Sequence, residues 1–423
     1  PGTAALVPVL ATALLILLGG RGRDGVEQVL ALTPFQRIGA WSYSLYLWHW
    51  PPLALAAAAG ADPGVRKAIA LTAISFVPAV LSYRLVENPI RFHPRLVRAP
   101  RFSVGMGVSL SLLGVVTGLL VVVSTPRAAP QSDGPLPGAA VLREAVSREE
   151  LLRQLRDTTV INPLPEEATR DRPSLYADEC QVNRSGATPV VCERGDPRGD
   201  VTVMLIGDSK IAQYEPALDD IGKRRGWKIV VTTKSTCPLI TRMPLTEEGD
   251  GPYESCHQWI QSVFEIVEDV RPDVVLTSHY SEQAWDPDTG APSVEEMYRG
   301  MLEAYESLEG LGAEVILVRN NIVGDFVVRD CVSANRDDLE RCIIPWEDVD
   351  GKGSGVLQER VAEDGSYGFV DPTDLLCPQQ LCLPVIGGVL VYRDGTHITA
   401  TYVKTMTPFL EERLVEAAGG RLP

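Results

Sequence analysis

Ahead of residue 127 the chain is apolar again and again for about the length of a membrane crossing, and after it never. Four stretches, roughly 3–20, 41–60, 67–84 and 103–124, reach or approach the ~20 residues a helix needs to cross a bilayer. Such a pattern predicts a multi-span α-helical membrane part over 1–124, followed by a separate domain. The second stretch is interrupted by Trp48-His49-Trp50-Pro51-Pro52, and the third contains Pro78. Prolines inside a span kink it and free backbone carbonyls, which is tolerable only against neighbouring helices. A titratable side chain such as His49 at that depth also needs protein around it. These spans therefore read as a bundle, with His49 a structural residue inside it.

Charge follows the same boundary. Residues 1–127 hold eleven Lys/Arg against four Asp/Glu, so the net −16 of the whole chain leaves −23 for residues 128–423. A surface that acidic repels phosphate backbones and excludes nucleic acid as a partner. Arginines in the apolar part set the orientation. The loop 21–37 carries Arg21, Arg23 and Arg37; the loop 84–101 carries Arg84, Arg91, Arg95, Arg98 and Arg101. The loop between spans two and three is shorter, with Asp62, Arg66 and Lys67. The two basic loops are expected to be cytoplasmic, so span four runs outward and residues 125 onward emerge outside. The loop 84–101 is a topology signal first, and an acyl-donor or lipid-headgroup contact second.

All eight cysteines lie in the acidic part, and their spacing suggests four local pairs: Cys180–Cys192, Cys237–Cys256, Cys331–Cys342 and Cys377–Cys382. Eight cysteines allow 105 pairings, so spacing alone does not fix connectivity. A metal site is disfavoured, because there is no Cys-x-x-Cys and no His close to most of these residues. Disulfides need an oxidising compartment, which agrees with the outward placement drawn from the arginines. The chain starts with Pro1 at a hydrophobic stretch, without a signal peptide and cleavage site, and reads as a fragment that has lost an N-terminal portion.

Residues 125–175 read as linker and extension: Pro/Gly-rich over 125–140, then a charged amphipathic helix over 141–157. From 176 to 423 strand and helix signals alternate. Strands are expected at Val201–Ile206, Trp227–Thr232, Asp273–Thr277 and Glu314–Arg319, with helices over 210–225, 256–269, 293–310 and 398–416. This alternation implies an α/β domain with a parallel sheet covered by helices on both faces.

In such sheets ligands bind where strands end and helices start. Gly207-Asp208-Ser209 stands at the end of the first strand. Gly207 permits a tight turn, and Ser209 falls where free backbone N–H groups can hold an oxyanion. Alone the tripeptide is weak, because it is also an ordinary turn and helix cap. Asp394-Gly395-Thr396-His397, directly before the last helix, strengthens it. An Asp three residues ahead of a His can hold the imidazole while its other nitrogen faces a nucleophile.

Gly207-Asp208-Ser209 with Asp394-x-x-His397 resembles the first and last motif blocks of the SGNH (GDSL-like) hydrolase superfamily, which implies a flavodoxin-like sheet. The membrane part resembles the acyltransferase-3 family through residues 43–51 (Tyr43 to Pro51) and 83–89 (Tyr83 to Pro89). The fusion is similar to bacterial O-acetyltransferases that modify cell-envelope polysaccharides. The resemblance implies Ser209 as nucleophile, His397 as general base and acid, Asp394 as the residue that orients it, and the Ser209 N–H as one oxyanion donor. Asp208 is expected to brace the turn. The family's Gly after the second strand is replaced here by the loop Lys234-Ser235-Thr236-Cys237-Pro238, which makes the backbone at Ser235 and Thr236 a candidate donor. Its Gly-x-Asn after the third strand is replaced by Ser278-His279-Tyr280, which makes His279 and Tyr280 candidates. The membrane family's own catalytic His and Arg lie in early helices that this sequence lacks.

The resemblance further implies acetyl as the default acyl group, coenzyme A thioester on the cytoplasmic side as donor with no bound cofactor, and an envelope glycan as acceptor in a multi-pass bacterial membrane protein. Two other readings stay open: an extracytoplasmic carbohydrate esterase using the same triad, and a silent glycan-binding module on an anchor.

Overall fold

A computed structural model of the chain describes residues 6–18, 26–58, 64–124, 134–144 and 146–422. Arg21, Arg23 and Asp62, used above for orientation, and residues 125–133 of the expected linker lie outside these. The chain divides into two compact units, Pro1–Pro126 and Arg127–Pro423.

In the first unit the described residues are almost wholly helical, and the described parts of all four apolar stretches lie in helices. Two segments are long and apolar enough to cross a membrane, Lys67–Arg98 and Pro100–Leu120. Four spans are expected from the sequence; the other two stretches do not reach that length and composition among the described residues. The helix Leu6–Leu18 has only 13 described residues. The helix Thr33–Ala58 has 26, but Gln36, Arg37, His49 and two internal prolines dilute its apolar character. The Pro100–Ser124 helix leaves large apolar side chains such as Leu112, Leu113 and Leu119 exposed, the surface expected of a helix whose solvent is not water. The two motif stretches meet: Ser44 Oγ donates to Glu87 Oε2 at 2.7 Å, across to the single π-turn Tyr83–Glu87. The His49 ring bonds back to its own helix, Nδ1 lying 2.7 Å from the Tyr46 carbonyl.

The second unit is built on a seven-stranded sheet: β1 (Gln181–Val182), β2 (Cys192–Gly195), β3 (Val201–Gly207), β4 (Trp227–Lys234), β5 (Val274–Ser278), β6 (Glu314–Val318) and β7 (Gly368–Val370). Five strands run parallel in the order β4-β3-β5-β6-β7. In chain order that is 2-1-3-4-5, the flavodoxin-like doubly wound arrangement. Beyond β4 lie two short strands end to end along it: β1 parallel at its C-terminal end and β2 antiparallel along Lys228–Val231.

Alternation along β3 builds two cores, because successive side chains leave opposite faces of a strand. Val203 and Leu205 pack with helices Glu215–Arg225 (α2), Ala400–Thr405 (α6) and Thr407–Ala417 (α7). Met204 and Ile206 pack with Glu254–Val270 (α3), Val294–Gly310 (α4) and Ser354–Gly365 (α5). A strand buried on both faces needs a continuous apolar run, and Val203–Ile206 supplies one. The expected helix over 210–225 is two pieces, Ser209–Ala212 (α1) and α2, which hinge at Gln213 and Tyr214. The extension is part of the first core. Ala139 in the turn Gly138–Leu142, Leu151 and Leu155 in the helix Arg148–Arg156, and Leu175 are all buried there. Apolar residues at 151 and 155 share one face of that helix and dock it. All four cysteine pairs are bonded as the spacing suggested, with no free thiol.

Candidate active site

The strand order changes direction between β3 and β5, the point outside whose C-terminal ends doubly wound sheets bind their ligands. Ser209 stands there. Gly207 makes the turn with φ +144°, and a Cβ on it would lie 2.7 Å from the Ser278 carbonyl on the neighbouring strand. Asp208 is fully buried and braces the turn with both oxygens. Oδ1 accepts from the Lys210 N–H at 2.7 Å and Oδ2 from the Tyr280 N–H at 2.9 Å.

From the far end of the chain, Asp394 and His397 come to the same place. His397 Nε2 lies 2.8 Å from Ser209 Oγ, and its Nδ1 is 3.0 and 3.1 Å from the two Asp394 oxygens. Asp394 Oδ1 also accepts the backbone N–H groups of Thr396 and His397, each at 2.8 Å. Arg393 forms a long ion pair with Oδ2, at 3.5 Å, and lies 5.4 Å from the Tyr176 ring centroid. Burial alone would raise the Asp394 pKa; the His397 hydrogen bond and charge, the Thr396 N–H and Arg393 together hold it well below the usual carboxylate range. For His397 burial is the largest influence and lowers the pKa. The Asp394 hydrogen bond opposes that, Lys210 reinforces it, and the net direction is down. The imidazole is thereby kept available as a neutral base, the state a nucleophile's partner must have.

The four candidate oxyanion donors separate on geometry. The Ser235 N–H is taken by the Val182 carbonyl, which extends the β1–β4 pairing, and the Cys237 N–H by the Lys234 carbonyl. The Tyr280 N–H is committed to Asp208. The His279 ring is fully buried against Gln358, its pKa pushed down by burial to about 3, and it does not line the open groove. The N–H groups of Ser209 and Thr236 have no partner among the described residues. Thr236 takes a left-handed φ of +51°, the conformation a Gly adopts freely, so the chain keeps a Gly-like backbone here without the Gly. The Cys237–Cys256 disulfide anchors the next residue to the first turn of α3.

Thr236 and Tyr280 also line a groove of about 620 Å³ with Asn320, Asn321 and Trp346. Three participants went unnoticed in the sequence: Lys210, Gln213 and Asn321, all buried beside the triad. A lysine next to the nucleophile looks like a solvated helix residue, and no local pattern ties Asn321 to it.

Serine, histidine and aspartate linked in this way at the strand ends of a doubly wound sheet define an α/β domain of the serine-hydrolase type. Residues 179–412, more than half of the chain, match the family described as an SGNH domain (fused to AT3 domains), and the chain belongs to that family. A 68-residue stretch is 35% identical to the peptidoglycan O-acetyltransferase OatA of Listeria monocytogenes; it covers 16% of this chain and only 11% of that curated relative. Among solved structures, the periplasmic domain of a lipopolysaccharide acetyltransferase from Salmonella ser. Paratyphi A aligns over 66% of this chain and 99% of that one, at 12% identity and a TM-score of 0.40. A GDSL-like lipase from Bacteroides thetaiotaomicron aligns over 51% and 88%, at 15% identity and a TM-score of 0.31.

Proposed function

We propose that the chain is part of an O-acyltransferase, acetyl by default, that modifies a cell-envelope glycan through Ser209. The observation that carries this reading is the continuous relay from Ser209 Oγ through His397 to Asp394, at 2.8 and 3.0 Å. Serine is scarcely ionised near neutrality and needs such a base to attack a carbonyl. His397 Nε2 takes the Ser209 proton as Oγ bonds to the acyl carbon. The tetrahedral oxyanion is held by the Ser209 and Thr236 N–H groups. It collapses as His397 returns the proton to the leaving group, and acyl-Ser209 remains. A glycan hydroxyl in the groove then gives its proton to His397 and attacks the acyl carbon, and Ser209 leaves with that proton.

Transfer rather than hydrolysis is favoured by the apolar unit that precedes the domain and by the similarity to a protein named as a peptidoglycan O-acetyltransferase. On this reading the apolar unit is multi-pass, takes acetyl from coenzyme A thioester on the cytoplasmic side, and residues 127–423 work outside.

The test uses the full chain purified in detergent, with a chromogenic acetyl ester. Wild type should turn over and Ser209→Ala should fall to background; equal turnover by both would end the catalytic reading and leave a glycan-binding module. With an envelope glycan fragment added, acetylated sugar is expected by mass spectrometry. Free acetate alone would instead assign an esterase.

A further inference from the structure

Asp394 and His397 sit on one loop near the C-terminal end, 185 residues and more from the nucleophile. Three buried side chains from two other elements hold that loop in place. Lys210, the residue after the nucleophile, donates from Nζ to the Thr396 carbonyl and, at 3.1 Å, to Asn321 Oδ1. Asn321, three residues beyond β6, donates from Nδ2 to the same Thr396 carbonyl at 3.0 Å. Gln213, which caps α1, donates to Asn321 Oδ1 at 3.0 Å and accepts the Ile398 N–H at 3.0 Å. The peptide groups on both sides of His397 are therefore gripped by the short helix that begins with Ser209.

We infer that Lys210, Gln213 and Asn321 are positioning residues, a clamp that fixes His397 against Ser209 through the peptides flanking the imidazole. The inference rests on the acyl-transfer reading of that pair. A space-filling role would not select these residues, because a buried ammonium is costly unless every donor finds a partner. Lys210 fulfils that condition with two oxygen acceptors and the face of Tyr280, 5.3 Å away.

The clamp also brings a charge. Lys210 faces the carboxylates of Asp208 and Asp394 and the guanidinium of Arg393; burial pushes its pKa down, and the two carboxylates oppose that. His397 faces Asp394 and Arg393 from its own loop and Lys210 from α1. Tyr176 faces Arg393 from the extension. A neighbouring ammonium disfavours the imidazolium, so removing it raises the His397 pKa. The acid limb of the pH–rate profile, where activity falls as His397 becomes protonated, then moves to higher pH. A residue that merely packs would leave the limb where it is.

The experiment compares wild type with Lys210→Gln, Lys210→Arg, Asn321→Ala and Gln213→Leu, all as full chain in detergent and checked by thermal melting. Two readouts are taken across pH: kcat and KM separately for the acetyl ester, and carbethoxylation of His397 by diethyl pyrocarbonate, read on its peptide by mass spectrometry. The reagent modifies neutral imidazole and needs no turnover. Lys210→Gln, which keeps a donor without the charge, should lose about tenfold or more in kcat/KM, the scale of a small misplacement of a catalytic group. Its limb and its modification midpoint should rise together, and Lys210→Arg should restore both. Asn321→Ala and Gln213→Leu should lower kcat more than they raise KM, with the midpoint unmoved. An unchanged midpoint in Lys210→Gln, or near wild-type kcat/KM in both Asn321→Ala and Gln213→Leu, overturns the clamp. Absence of any Ser209-dependent turnover in wild type defeats the acyl-transfer reading instead, and the two failures are distinguishable because the midpoint is read without catalysis.

Discussion

At Gly207 the chain has no room for a side chain. The φ of +144° is a conformation that L-residues rarely adopt, and the Ser278 carbonyl stands 2.7 Å from where a Cβ would go, with Thr277 Oγ1 at 3.3 Å. The Ser278 carbonyl belongs to the backbone of the adjacent strand, which cannot retreat without breaking its ladder to β3. Gly207→Ala is expected to lower stability by about 1–3 kcal/mol through backbone strain. Because the next two residues are Asp208 and Ser209, it should lower ester turnover as well. Chemical denaturation and turnover on the same preparation check both; an unchanged Ser209-dependent rate would mean the turn is less constrained than its contacts imply. The triad was legible because its chemistry demands particular residue types: a serine after a tight turn, and an aspartate at a fixed spacing from a histidine. Its supports were not. Lys210, Gln213 and Asn321 meet only once two distant parts of the chain are folded together, and none belongs to a local pattern.

Among the elements, the loop after β4 shows how a sequence departure can leave a backbone shape intact. Thr236 occupies a left-handed conformation, Ser235 extends the pairing with Val182, and Cys237 is tied to Cys256. Replacing both cysteines with serine opens a loop of 19 residues' separation and is expected to cost about 3 kcal/mol of stability. Turnover should fall too, since the Thr236 N–H loses its anchor. Denaturant titration with and without reductant measures the first, and ester turnover the second. The long elements could be read from the chain because each carries its own period or apolar run: four parallel strands, α3 and α4 lie within a few residues of where the sequence puts them. The short ones could not. β1 has two residues, β2 reads Cys-Glu-Arg-Gly, and β7 opens on a glycine, so none shows a strand's alternation. The extension misled for another reason: its first part is Pro/Gly-rich, yet Ala139 and Leu151 join the core beneath the sheet.

Over the whole molecule, the cysteines bear on the proposed compartment. Four disulfides formed among all eight cysteines call for an oxidising environment, the one that the proposed outward placement of this domain would supply. Alkylation of the untreated chain should label no thiol, and eight after reduction in denaturant, counted by mass; free thiols before reduction would undo the argument. The sheet itself has one more consequence. Unpaired strand edges act as templates on which other chains can add, and they drive aggregation unless blunted. Along β4 the outer edge is taken by β1 and β2, which run in opposite directions and are stapled by Cys180–Cys192, while the other edge, β7, is three residues long. An incoming strand thus finds a broken, two-way border on one side and almost none on the other. Where copies of this domain meet, that border keeps them from joining edge to edge into fibres.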